Sequence, residues 1–233
     1  VSIGILSLGT YLPEPRMSSA ELAEATGIPE GVIRDKFGIL EKPVPGPDDH
    51  PCAMGARAAK KALDKAGVDP LEVDLVLSIS EEYKEHPLMV SGIKIQQLVG
   101  ARNAWAIDVA QRCCTTIAAL KMAKAMMKDD PSLNTVLLAG GYRNGDLIDY
   151  RNKAVSFMYS LAAGGGAIVL RRGMDRNLIG EACLVSDGDF ADDVHVHAGG
   201  TVAPVQAEHL GTGAMMLDVT DVDAMKGRLA ERS

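Results

Sequence analysis

Aromatic side chains are scarce in this sequence: one Trp, three Phe and five Tyr in 233 residues. Ala, Gly, Val, Leu and Met are plentiful instead, a mix that suits helices packed closely on a parallel sheet. Positive charge is also short, with 24 Lys and Arg against 31 Asp and Glu, for a net charge of −7. With no basic cluster, nucleic acid is excluded as the main partner. No apolar run approaches the ~20 residues of a membrane span, and no charged n-region followed by an apolar h-region opens the chain. Neither a membrane anchor nor a secretory signal is therefore expected. Only four cysteines occur, at 52, 113, 114 and 183. Their spacing makes neither a disulfide framework nor a zinc pattern, so the expected compartment is a reducing cytoplasm.

What is present is enough material for a sizeable core, 47% apolar, in alternating strand and helix signals. Val1 to Leu8 reads as a strand ending at Gly9. Ser18-Ser-Ala-Glu21 is a capping box opening a helix that stops at Gly27. Pro29 suits the first turn of a second helix, with Gly38 just past its end, and Pro43 to Asp49 is a rigid turn. Pro51 to Ala66 reads as a long helix closed by Gly67. Leu75 to Ser80 is an almost continuous apolar strand, the pattern of burial on both faces. Leu88 to Val99 is expected to be helical, followed by a strand at Trp105–Val109, a helix at Thr116–Met127, and strands at Thr135–Ala139 and Gly164–Leu170. Beyond Arg171 the pattern loosens. Ile179 to Ser186 reads as a strand, an acidic glycine-rich loop follows, and a helix begins near Asp221. The whole predicts an α/β fold, largely parallel, with right-handed crossovers and function gathered at the carboxyl ends of the strands.

Cys113 and Cys114 sit where the strand ending at Val109 turns into the next helix. Orphan N–H groups and the positive end of a helix dipole stabilise a thiolate at such a place. The same amides suit an oxyanion on an acylated sulfur. Cys113, at the turn, is the candidate nucleophile; the competing reading is two small apolar side chains packed in a core.

Asp108-Val-Ala-Gln-Arg-Cys113, followed by Cys-Thr-Thr-Ile-Ala-Ala-Leu120, resembles the nucleophile segment of thiolase-fold condensing enzymes. Ketoacyl-acyl-carrier-protein synthase III is the general match, with 3-hydroxy-3-methylglutaryl-CoA synthase as a relative. Gly9-Thr-Tyr-Leu-Pro13, Val73-Asp-Leu-Val-Leu77 and Ala162-Ala-Gly-Gly-Gly-Ala-Ile-Val169 carry the same resemblance over residues 1 to about 190. Phe37-Gly-Ile-Leu-Glu-Lys-Pro-Val-Pro-Gly-Pro-Asp48 is similar to the archaeal-type hydroxymethylglutaryl-CoA synthases. The resemblance implies a thiolase-like fold and a cysteine thioester acyl-enzyme attacked by a second thioester. It also implies acyl-CoA and acyl-carrier-protein as substrates, with no bound cofactor and no metal. The family pairs its sheets as a homodimer, here through Trp105 to Val109, with the region from Leu88 and Met89 to Val99 closing the partner's acyl pocket. By the same resemblance residues 1–171 are the half that carries the nucleophile. Residues 172–233 are then a connector and the truncated start of a second half, whose His and Asn partners would lie beyond Ser233.

Departures from the family pattern are specific. Arg112 and Cys114 flank the nucleophile where the family has small residues, and would narrow or polarise the acyl tunnel. Val32 stands where synthase III stacks an aromatic on adenine. Glu81 stands where hydroxymethylglutaryl-CoA synthases carry an acid/base glutamate, and otherwise reads as a solvated strand-end charge. The primary expectation is a synthase III-like acyltransferase making a carbon–carbon bond by Claisen condensation. The alternatives are a hydroxymethylglutaryl-CoA synthase-like enzyme using Glu81, or a non-catalytic acyl-binding or scaffolding subunit. His195-Val-His197 has the period-2 spacing of two imidazoles on one strand face, with no further ligand obvious. Met122, Met126 and Met127 read as helix core packing.

Overall fold

The computed structural model describes residues 1–231. The chain forms two compact units that interleave along the sequence. One comprises Val1–Arg16, Pro43–Arg143 and Ala162–Leu184, the other Met17–Lys42, Asn144–Leu161 and Val185–Ser233. The division at residue 171 concerns family halves and is a separate matter.

The first unit is a five-stranded sheet in the order β1-β7-β6-β4-β5. Its strands are β1 (Ile3–Tyr11), β4 (Leu75–Ser78), β5 (Trp105–Asp108), β6 (Thr135–Tyr142) and β7 (Gly164–Arg172). β4 runs parallel to both β5 and β6, whereas β7 is antiparallel to β6 and β1. The sheet is therefore mixed, which corrects the largely parallel sheet expected from the sequence. The turn into β7 needs no crossover helix, and the 164–172 run passes straight back beside β6. Both faces are covered. Along β4, Leu75 and Leu77 face one apolar layer with Ala119, Ala123 and Met127, while Val76 faces the other with Ala59, Leu63 and Ile95. Period-2 alternation buried on both sides yields the unbroken apolar run seen in the sequence.

Helix α3 (Pro51–Ala66) lies on the face that Val76 joins and ends at Gly67, which is in the left-handed conformation at φ 63°. Its Ala-rich face and the facing glycines bring backbone against backbone. A Cβ at Gly141 would lie 2.2 Å from the Pro51 carbonyl oxygen, and one at Gly165 would lie 2.3 Å from that of Met54. Helix α4 (Ser91–Val99) shares this face, and α5 (Thr115–Asp129) covers the other. Of the methionines on α5, Met127 is fully buried and Met126 packs beside it, but Met122 is exposed.

The second unit holds α1 (Ser19–Thr26), α2 (Glu30–Asp35), the ribbon of β8 (Val194–Val196) and β9 (Leu217–Val219), and α6 (Val222–Glu231). Between the units' segments in sequence, β2 (Arg16–Ser18) and β3 (Glu41–Pro43) form a two-stranded ribbon. The capping box at Ser18 is formed with Glu21, and Gly27 closes α1. Lys42 is buried. Its Nζ donates to the Tyr150 hydroxyl at 2.7 Å and to the Tyr159 and Leu161 carbonyls at 2.7 and 2.8 Å.

Two further sequence expectations fail. Residues 179–186 make no strand; only Leu178 bridges to Gly4. Leu88 to Ser91 was expected to start a helix, but Leu88 adopts φ 63°, which an α-helix does not admit, and α4 starts at Ser91. The helix end is set by Asp108, whose carboxylate accepts from the Ser91 and Gly92 amides at 3.0 and 2.7 Å.

Candidate active site

The carboxyl ends of β4 and β5 carry two segments that meet: the loop 79–90 after β4 and the turn 109–114 after β5. Lys84 pairs with Asp108 at 3.0 Å, and Arg112 pairs with Glu82 at 3.0 Å. The second pair is largely exposed, so it adds little stability, but it fixes which segment lies beside which.

Residues Arg112–Cys114 form a 3₁₀ turn leading directly into α5. Arg112 sits in the left-handed region at φ 49°, one of three non-glycine residues to do so among those described. A long side chain is held there at a conformational cost, and such strain between a strand and a helix presents the next side chain outward. Cys113 and Cys114 are both exposed, which removes the packed-core reading for this pair. Gln111 donates its amide to the Thr115 hydroxyl at 2.8 Å, locking the start of α5.

The expected set of free amides is smaller than a bare helix terminus offers. The Cys114 amide bonds the Gln111 carbonyl at 3.0 Å, and that of Thr115 bonds Arg112. The tight i→i+3 closure of the turn consumes them.

Glu81 is half-buried, immediately beyond β4, on the loop whose next residue binds Arg112. Leu88 is wholly exposed, and Met89 is half-buried against the apolar layer under α4. Met89 also lines an open groove of about 670 Å³ with Val90, Ile93 and Gln97. Cys113 does not line it, so this groove belongs to α4 rather than to the thiol.

One pair escaped the sequence reading. Cys52, in the first turn of α3, is fully buried. Its thiol is pushed up to about 12 by burial, reinforced by a hydrogen bond and the negative charge of Glu85. Glu85 itself accepts the Cys52 amide at 2.8 Å. No short-range pattern ties residue 52 to 85, so only the fold reveals the pair. His195 lies in β8 with its Nδ1 3.2 Å from the Asp192 carbonyl oxygen, and His197 follows the strand. Among the described residues no group of three or more His, Cys, Asp or Glu is arranged to hold a metal, and no helix is long and apolar enough to cross a membrane.

The sheet, its covering helices and the cysteine turn make an α/β fold of the thiolase-like class. Within it, the family model described as 3-oxoacyl-[acyl-carrier-protein] synthase III matches residues 107–188. The chain is 26% identical to a beta-ketoacyl-[acyl-carrier-protein] synthase III of Sulfurovum sp., over 94% of this chain and 64% of that protein. A synthase III of Campylobacter jejuni is 27% identical, over 81% of this chain and 57% of its own length. The priming β-ketosynthase of the R1128 polyketide pathway superposes with a TM-score of 0.80 at 25% identity, covering 99% of this chain and 66% of that one. The chain thus resembles synthase III along nearly its whole length while spanning about two thirds or less of these relatives.

Proposed function

We propose that this chain is the nucleophile-bearing part of a synthase III-like acyltransferase, forming a carbon–carbon bond by Claisen condensation. The observation that carries the reading is the exposed Cys113 on a strained strand-to-helix turn, in the segment that the family model matches. The Cys113 thiol gives up its proton as it attacks an acyl thioester; the new S–acyl bond forms, the old carbon–sulfur bond breaks, and the departing thiol leaves with that proton. A second thioester, made nucleophilic at its α-carbon, then displaces the cysteine. Acyl-CoA and acyl-carrier-protein thioesters are the proposed substrates, with no resident cofactor. Arg112, Cys114, Leu88 and Met89 are the proposed substrate-side residues, and a reducing cytoplasm is the proposed setting. Incubation with radiolabelled acetyl-CoA followed by peptide mapping tests this: label on Cys113 is expected, and label on Cys114 or on neither overturns it.

A second reading has a specific observation in its favour. The Glu82–Arg112 pair brings the loop carrying Glu81 beside the Cys113 turn. A hydroxymethylglutaryl-CoA synthase-like enzyme needs such a carboxylate to take a proton from an acetyl α-carbon. A non-catalytic acyl-binding subunit is the remaining alternative, and the same labelling experiment rejects it.

We also propose a homodimer through β5. That strand is an edge, bonded within this chain to β4 alone, and Trp105 on it is 47% exposed. Leu88 is 100% exposed and Ile93 53%, an apolar set that a second copy would cover. Light scattering of the full-length protein at micromolar concentration is expected to give the dimer mass; a stable monomer refutes it.

A further inference from the structure

The loop 79–90 carries Glu81, Leu88 and Met89, yet it holds no helix or strand of its own. What fixes it is a set of side chains reaching to three different elements. Glu82 reaches Arg112, Lys84 reaches Asp108, and Glu85 reaches the Cys52 amide at the start of α3. The first of these is solvent-exposed on both sides. Glu85 is different in kind. Its Oε1 supplies the side-chain cap for a helix whose own N-cap residue, His50, makes no such bond. Its Oε2 is buried and without a hydrogen-bond partner, as is the Ser91 hydroxyl at the start of α4. The Cys52 sulfur, 3.9 Å from the Ser91 carbonyl oxygen and bonded to Glu85, lies between them.

A buried carboxylate oxygen left unpaired is unfavourable, and a glutamine could cap the same amide without that charge. Stability therefore does not explain the choice of residue, whereas unfavourable polar burial is retained where position matters. We propose that Glu85 is a positioning residue: by anchoring the middle of the 79–90 loop to α3, it keeps the stretch that carries Glu81 and the Arg112 partner Glu82 beside the Cys113 turn. The inference rests on the reading of Cys113 as an acylated nucleophile. It deepens that reading by naming what orients the loop beside it.

Reach, rather than charge, does the anchoring. Asp at 85 keeps the charge and falls one methylene short of the Cys52 amide, whereas Gln keeps the length and an accepting oxygen. Three full-length variants separate these. Glu85→Ala and Glu85→Asp are expected to slow acylation of Cys113 by acetyl-CoA about 10- to 100-fold, the scale of an ångström-level misplacement. The rate at which iodoacetamide alkylates Cys113 should stay as in the native protein, because the turn itself is held by its own Gln111–Thr115 and Cys114–Gln111 bonds. Cys52, protected in the native protein, should become alkylated in both variants. Glu85→Gln should match the native protein in all three readouts. Should Glu85→Ala fail to fold, the Asp and Gln pair decides alone.

The proposal is overturned if Glu85→Asp acylates normally, if Glu85→Gln is as impaired as Glu85→Asp, or if Cys113 alkylation slows in step with acylation. Failure of the underlying reading looks different: the native protein itself would take no acyl group on Cys113. In that case Cys52 protection still reports whether Glu85 holds the loop, and protection retained in Glu85→Asp refutes the anchoring.

Discussion

Two thiols stand at the start of a helix in the same unit, Cys52 in the first turn of α3 and Cys113 in the 3₁₀ turn that leads into α5, and their surroundings are opposite. A helix start carries the positive end of a dipole, but its amides are not all free at either: Glu85 accepts the Cys52 amide, and the 3₁₀ turn uses those of Cys114 and Thr115. Cys52 is fully buried beside Glu85, and its thiol is pushed up to about 12. Cys113 is exposed on a turn that Arg112 strains, with Arg112 itself directed to Glu82. Desolvation and a neighbouring carboxylate outweigh the dipole at Cys52, because burial penalises the charged form by far more than a helix end returns. A helix N-terminus therefore marks a candidate nucleophile, and its surroundings decide the matter.

The comparison breaks first on substitution. Cys113→Ala is expected to lower acyl-enzyme formation by more than about 10⁴-fold, as loss of a covalent nucleophile does, with intact-protein mass spectrometry as the readout. Cys52→Ser should still be acylated. If Cys52→Ser loses the acyl group and Cys113→Ala keeps it, the roles are reversed.

The carboxylates beside each thiol sharpen the contrast. Glu81→Gln keeps size and hydrogen bonding but cannot take a proton. In a hydroxymethylglutaryl-CoA synthase-like enzyme it should slow condensation by ~10²–10⁴-fold and leave acyl transfer to Cys113 largely intact. In a decarboxylating synthase, CO₂ loss generates the carbanion and both steps should stay near native. Following the two half-reactions separately by quenched flow distinguishes the enzymes.

Alkylation gives a third, smaller separation. Iodoacetamide at pH 8 should modify Cys113 ahead of Cys114, which points about 120° further around the 3₁₀ turn, and should leave Cys52 unmodified until denaturant is added. Labelling of Cys52 in the native protein at that pH would contradict its burial.

The smallest effect is on stability against pH, where burial acts with opposite sign on an acid and a base. Lys42 is pulled from 10.5 down to about 8 by burial, so between those values the unfolded chain holds a proton that the folded one has released. Stability from this group rises with pH across that window and is lost as pH falls through it. Cys52, raised from 9.0 to about 12, keeps its proton in the fold after the unfolded chain has lost it, so its contribution falls over that range. Denaturant titrations between pH 8 and 10.5 should show a shallower rise in Lys42→Met and a steeper one in Cys52→Ala. Slopes unchanged in both variants would mean that neither group titrates as its burial demands. Lys42→Met also abandons the Tyr159 and Leu161 carbonyls, each worth ~1–3 kcal/mol if left unpaired.

Periodicity and punctuation determined much of this molecule. The Ser18 capping box, the Pro51–Ala66 helix with Gly67 behind it, and the apolar β4 run all depend on residues within a few positions of one another. Local rules suffice for them. The cysteine pair at the start of α5 was legible for the same reason, since strand, turn and helix follow one another directly. The antiparallel course of β7 was not, because pairing direction is set by which strand end the chain returns to and leaves no mark in composition. The start of α4 went the same way: Asp108, 17 residues downstream of Ser91, caps it. The Cys52–Glu85 anchor spans 33 residues, and the contrast between the two thiols follows from it. Burial and charge at a site are sums over neighbours that only the folded chain assembles, so the sequence could place both cysteines at helix starts and only the tertiary structure could tell them apart.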